Sequence, residues 1–102
     1  MKLEISPFAQ RQIEAIVFFI AEDSPAAAER WYSELRRVLV RIESLPNAGR
    51  VVKELAPLPL REARYGSYRI IYEVDPDTVN IHGVVHGARN LRPRLIGLDD
   101  EE

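Results

Sequence analysis

The side chains of this chain that could do chemistry are arginines, two histidines and a few glutamates. Twelve of its 14 basic residues are Arg, whose planar fork matches carboxylate or phosphate bidentately where Lys presents a point charge. Arg61, Arg64 and Arg69 fall in adjacent alternating segments, His82 and His86 in the next, and Arg89, Arg92 and Arg94 follow. Cations beside a histidine suit an anion that must be held and passed a proton. With Glu54 or Glu62 as a further proton carrier, Arg69 and His86 could make a metal-independent acid–base site. Other chemistries lack their residues. There is no cysteine, hence no disulfide or thiolate site. His82 and His86, four apart, have no third ligand for a metal. No glycine-rich phosphate loop or nucleophile elbow occurs. Ser6, Ser24, Ser33, Ser44 and Ser67 are accounted for by caps, helix faces and a turn. No cofactor is expected.

Three strands must position these groups, roughly residues 60–65, 68–74 and 78–86. Gly66-Ser67 is a two-residue hairpin signal with Gly first, and Asp75-Pro76-Asp77 marks the next reversal. That register sets Arg64 opposite Arg69, Ala63 opposite Ile70 and Glu62 opposite Ile71. Beyond the second loop it sets Val74 opposite Val79, Tyr72 opposite Ile81, Ile71 opposite His82 and Arg69 opposite Val84. One face then gathers Ala63, Tyr65, Tyr68, Ile70, Tyr72, Val74, Val79, Ile81 and Val85, apolar enough to lie under helices. The other gathers Glu62, Arg64, Arg69, Ile71, Glu73, His82, Val84 and His86, and is expected to be open and polar. Facing arginines repel. Either Glu62 sits between them, or a phosphate or acidic partner segment does. His86 is expected near Arg69 at the sheet's end, as a structural residue or a proton donor.

The rest of the chain must cover the apolar face. Leu3-Glu4-Ile5 alternates as a short first strand. Ser6-Pro7 and Ser24-Pro25 each read as a helix start, an N-cap followed by Pro at the first position. Phe8, Ile13, Ile16, Val17 and Ile20 carry a helix over roughly 7–22; Ala28, Trp31, Leu35, Val38, Leu39, Ile42 and Leu45 carry a second, ending at Pro46. So tight a junction predicts a helical hairpin. Phe18 and Phe19 widen the first helix's apolar side; a second helix alongside is the expected cover, a partner surface the alternative. Arg30, Arg36, Arg37 and Arg41, with Glu29, Glu34 and Glu43, read as a solvated face. Residues 46–59 read as a connector. Leu91, Leu95, Ile96 and Leu98 could dock on the sheet.

The order β-α-α-β-β-β predicts an α+β fold, a helical hairpin on one face of an antiparallel sheet. At 102 residues the chain suits one domain, read as residues 1–98, with 99–102 a disordered acidic tail. Apolar residues at 46% and charged residues at 29% fit a globular chain. No signal-like or membrane-spanning run is seen, so a cytoplasmic protein is expected. Residues 50–94 carry eight basic and five acidic side chains and the tail four acids, a distribution permissive for an anionic partner.

The run Leu60-Arg61-Glu62, Tyr68-Arg69-Ile70-Ile71-Tyr72 and Val84-Val85-His86-Gly87-Ala88-Arg89 resembles the ParE/RelE toxin superfamily of bacterial type II toxin–antitoxin systems. Ser6-Pro7, Ala9, Ile13 and Ile16, then Leu45-Pro46 and Gly49-Arg50, extend the likeness over roughly residues 3–90. Arg69 matches the superfamily's strand arginine, and His86 with Arg89 its terminal His-x-x-Arg. The Lys pair and the C-terminal Tyr of the RelE-like ribonucleases are missing, with Lys53 alone beside Glu54, so the ParE-like branch is favoured. That resemblance implies a plasmid-stabilising toxin, not itself a hydrolase, that inhibits DNA gyrase and is neutralised by a ParD-like antitoxin. Arg61, Arg64, Arg69, His82, His86 and Arg89 would then meet target or antitoxin. The assemblies implied are a homodimer or a toxin–antitoxin heterotetramer. The alternatives are a RelE-like ribosome-dependent mRNA endonuclease using Arg69, His86 and Glu54, and an inactive homologue serving only antitoxin binding and autoregulation.

Overall fold

A computed structural model describes residues 1–98; the expected acidic tail, 99–102, lies outside the described residues. Strand β1 (Lys2–Ile5) leads into helices α1 (Pro7–Asp23) and α2 (Pro25–Ser44), followed by β2 (Arg50–Val51), β3 (Leu60–Tyr65), β4 (Tyr68–Val74) and β5 (Thr78–His86). The helices begin where the serines dictate. Ser6 Oγ accepts from the Ala9 N–H at 3.0 Å and Ser24 Oγ from the Ala27 N–H at 3.1 Å, each with Pro next in the chain. Ser24 also closes α1, its own N–H donating to Ile20 O at 2.9 Å. One residue ends a helix and starts another, and the chain turns back there as expected. Each cap contributes on the order of 1 kcal/mol.

The five strands lie in the order β1-β5-β4-β3-β2. β1 runs parallel to β5 and the other pairs are antiparallel. The expected register of β3 on β4 holds throughout, Arg64 opposite Arg69 included. Gly66 makes the turn at φ +57°, a left-handed value open to glycine at no steric cost.

On β5 the expected register holds only as far as Ile81, which faces Tyr72; beyond it Gly83 faces Ile71, Val84 faces Ile70, Val85 faces Arg69 and His86 faces Tyr68. His82 is the extra residue of a β-bulge, which shifts every later side chain by one position. Val84 and His86 therefore point to the helix side, and Val85 away from it, reversing the expected assignment. Gly83 fits this site because a Cβ there would come within 2.5 Å of Ile96 Cγ2.

Both faces of the sheet are covered. Under the helices, Ala9, Ile13, Leu35, Leu39 and Ile42 pack on Ile70, Tyr72, Val79, Ile81 and Val84. The face expected to be open carries a second core. Val52, Leu55 and Leu60 join Ile71, Val85, Leu91 and Ile96 there. Its cover comes from the later part of the connector, Val52 and the 3₁₀ turn Lys53–Leu55 after β2, and from a second 3₁₀ turn at Pro93–Ile96; the turn Pro46–Ala48 lies on the helix side, where Tyr72 Oη donates to Pro46 O at 2.7 Å. The apolar C-terminal residues thus dock on the sheet, on the face away from the helices.

Gln12 of α1 ties the two layers together. Its Oε1 accepts from the Val84 N–H at 2.8 Å and its Nε2 donates to Leu95 O at 2.7 Å. β1 pairs with β5 only up to Ile81, so a helix side chain supplies the partner that a strand would have given.

Candidate functional site

Arg69 stands in the middle of β4, and the structure encloses it instead of exposing it. Its side chain is 8% exposed and that of Glu62, on β3, is 9%. Nε donates to Glu62 Oε1, and Nη2 to Glu62 Oε2 at 3.2 Å. Glu54, delivered by the turn Lys53–Leu55, meets Nη1 at 3.1 Å and Nη2 at 3.3 Å. The guanidinium is forked by two carboxylates, the strongest form of charge-assisted hydrogen bond. Glu62 raises the Arg69 pKa above its ordinary value, against burial, and Glu54 adds to the effect. The Glu54 carboxyl is in turn held below its ordinary range, chiefly by the hydrogen bond from Arg69.

The facing arginines coexist because the two acids neutralise one and the other turns aside. Arg64 is exposed and reaches the chain beyond β5, where a Cβ on Gly87 would lie 2.9 Å from its Nη1. Glu62, joined by Glu54, holds Arg69, while Arg64 makes no ion pair with either acid.

The remaining expected residues are dispersed. Arg61 Nη1 donates to Gly49 O at 2.7 Å and ties β3 to the connector. His82, on the bulge, places Nε2 3.0 Å from Glu73 Oε1. His86 is exposed, on the side opposite Arg69, with its ring edge-on to Tyr68 at 5.6 Å. Its Nδ1 accepts from the Ala88 N–H at 3.2 Å, which directs Nε2 outward. Tyr68 continues to Trp31 at 5.5 Å and Trp31 to Tyr65 at 5.4 Å, a run of rings along the sheet's end. Arg89 is exposed in the following segment. Arg69 and Glu54 therefore meet as an ion pair, and His86 does not join them.

The accessible apolar surface lies elsewhere. Phe18 and Phe19 are 68% and 73% exposed, so the expectation that α2 covers them is overturned. Phe18 and Val17 line a hollow of about 530 Å³ whose far wall is Tyr32 of α2. A second hollow, of about 260 Å³, runs between Val38 and Ile42 of α2, Leu45 just beyond it, and Ala63 and Arg64 of β3, with Arg41 and Arg50 also lining it. There β2 pairs only with Arg61 and Glu62, so among the described residues no strand covers the outer edge of Ala63–Tyr65. Sequence reasoning missed this groove, because β2 is two residues long and carries no strand pattern.

Among the described residues no helix is long and apolar enough to cross a membrane, and no cluster of His, Asp and Glu could hold a metal ion. No curated protein matches the chain. The family model described as the ParE toxin of the type II toxin–antitoxin system parDE does match it, over residues 3–91. That span takes in the helical hairpin, the enclosed Arg69 and both hollows, and the chain belongs to the ParE toxin family of type II toxin–antitoxin systems.

Proposed function

We propose that this toxin acts on DNA gyrase and is held inactive by a cognate antitoxin seated on the helical hairpin and the free edge of β3. The observation that carries the choice of target is the state of Arg69. A ribonuclease using this strand arginine needs its guanidinium free to meet a phosphate, and here two carboxylates occupy its donors. His86, the candidate proton carrier, stands on the other side of the sheet. Family membership supports an antitoxin partner. Exposed Phe18 and Phe19 offer an aromatic anchor for an amphipathic helix, and the edge of Ala63–Tyr65 offers backbone groups to an extended segment.

The test is supercoiling by purified gyrase with increasing toxin. Loss of supercoiling with accumulation of cleaved DNA is expected. Undiminished supercoiling at molar excess, together with ribosome-positioned mRNA cuts in induced cells, would replace this reading with the ribonuclease. For the antitoxin surface, Phe18→Ala/Phe19→Ala should weaken antitoxin binding at least about tenfold with little change in toxin stability. Unchanged affinity would move the antitoxin off the hairpin.

A further inference from the structure

One open edge of the sheet, Ala63–Tyr65 beside β2, enters the reading above. The other is β1, at the opposite end of the order β1-β5-β4-β3-β2. β1 bonds β5 through alternate residues. The Lys2 N–H donates to Asp77 O at 2.9 Å and the Ser6 N–H to Ile81 O at 3.0 Å. In a parallel ladder such residues turn both backbone groups to the same neighbour. Glu4, between them, belongs to that set, so the N–H and C=O of Leu3 and Ile5 point away from β5. Among the described residues no strand pairs with that side.

The side chains of β1 alternate as sharply. Leu3 and Ile5 are half-buried against the core under the helices. Lys2 and Glu4 are exposed on the far face, with Lys2 Nζ 3.7 Å from Glu4 Oε2. An open strand edge is a template for another strand, and the strand that fits this one is a second β1. Set antiparallel about a two-fold axis beside Leu3, a second copy brings Leu3 opposite Leu3, Ile5 opposite Met1, and Lys2 opposite Glu4 twice. Residues 1, 3 and 5, whose backbone groups point outward, then take the hydrogen-bonded positions. Both charged pairs take the closer, non-hydrogen-bonded ones. Sliding by one residue sets the outward groups against residues already bonded to β5. Sliding by two sets Lys2 against Lys2 or Glu4 against Glu4, and shortens the ladder. A single register satisfies backbone and charge together.

We infer that two copies of this chain form a two-fold dimer through β1, joining their five-stranded sheets into one of ten strands. The symmetry is closed, so pairing stops at two. Residues 99–102 are four acids, a composition that favours strands poorly and repels Glu4, whereas a second β1 complements it. Four residues a side make a small contact, and a Kd on the order of 10 μM is expected. The second copy sits at the opposite end of the sheet from Ala63–Tyr65, and its pairing stands apart from the proposed antitoxin contact there.

The experiment is sedimentation of the full chain, without antitoxin or gyrase, from about 1 to 200 μM. A monomer–dimer equilibrium is expected, and the Leu3 and Ile5 amides should exchange hydrogen more slowly as concentration rises. Glu4→Lys alone and Lys2→Glu alone each set like charges opposite one another twice, and each should weaken the dimer at least about tenfold. Mixed in equal amounts, these two variants should pair with each other within about threefold of the wild-type affinity, because each supplies the charges that the other lacks. Both positions are exposed, and circular dichroism melts check folding. A chain ending at Leu98 should dimerise as the full chain does. No self-association, a dimer indifferent to the charge variants or abolished by Phe18→Ala/Phe19→Ala, a mixture that fails to pair, or a dimer formed only after removal of 99–102 would each overturn the inference. Gyrase inhibition and antitoxin capture are scored in separate assays, so failure of the dimer and failure of the functional reading are distinguishable.

Discussion

The two faces of the sheet are built from the same strands and solve burial differently. The helix side is apolar almost throughout, filled by two long helices whose stripes repeat at helical spacing. The far side mixes an apolar patch with the enclosed Arg69–Glu62–Glu54 cluster, and its cover is Val52, the short turns Lys53–Leu55 and Pro93–Ile96, and the segment around Leu91. Regular elements can bury a face with hydrocarbon alone. Irregular ones bring unpaired backbone and charged side chains with them, and these need specific partners. On the far side Glu62 and Glu54 serve Arg69, and Gln12 serves Leu95 O. That face is consequently more sensitive to the loss of a single polar group than to the loss of a methylene.

The largest effect expected from this difference comes from breaking the buried pair. Arg69→Met leaves Glu62 enclosed with its charge unmatched, and should cost about 3–5 kcal/mol in urea unfolding. The double variant Arg69→Met/Glu62→Leu should recover most of that loss, because well-packed apolar side chains replace a buried pair nearly neutrally. A single variant costing under about 1 kcal/mol would mean that water reaches Glu62 and the far side is not a second core. Cavity variants sharpen the same contrast. Leu35→Ala, in mid-helix and fully buried, should cost about 3–5 kcal/mol, since its surroundings cannot collapse. Ile96 is as deeply buried but sits on a four-residue 3₁₀ turn that can settle inward more readily than a long helix, and Ile96→Ala should cost nearer ~2 kcal/mol. Equal costs would show the two covers to be equally rigid.

The helix side was legible in the sequence because its signals are local and repeated. Ser-Pro starts, a stripe at helical spacing and a Gly-first turn each act within a few residues, and the strands lie where alternation puts them. The far side was not legible, for three separate reasons. The bulge at His82 has no composition mark except the glycine after it, and one slipped position moved Val84, Val85 and His86 across the sheet. The cover lies in segments with no period, so Val52 and Leu55 looked like linker residues and are core. Glu54 is brought to Arg69 by a turn and a two-residue strand, a long-range contact that no spacing rule anticipates. Glu62 was legible, being one strand away on the same face. The exposure of Phe18 and Phe19 turned on how far α2 reaches around α1, which apolar counts alone do not settle.

The smallest expected effect isolates the rim of the cluster. The Glu54 carboxyl lies below its ordinary value of 4.5, with the Arg69 hydrogen bond as the leading cause. A carboxyl whose folded pKa is depressed binds its proton more readily in the unfolded chain. Its contribution to stability is therefore whole above the unfolded value and lost as pH falls through the folded one. Glu54→Gln should remove that part of the acid dependence, so the stabilities of wild type and variant converge as pH drops from about 5 toward 3. With the Glu54 side chain 48% exposed, solvent screens the pair, and the gap at neutral pH should be no more than about 1 kcal/mol. A gap that persists undiminished at pH 3 would mean that Glu54 acts by packing over Leu55 and the β2 turn. The ion pair would then be a consequence of that cover, and Arg69 would owe its enclosure to Glu62 alone.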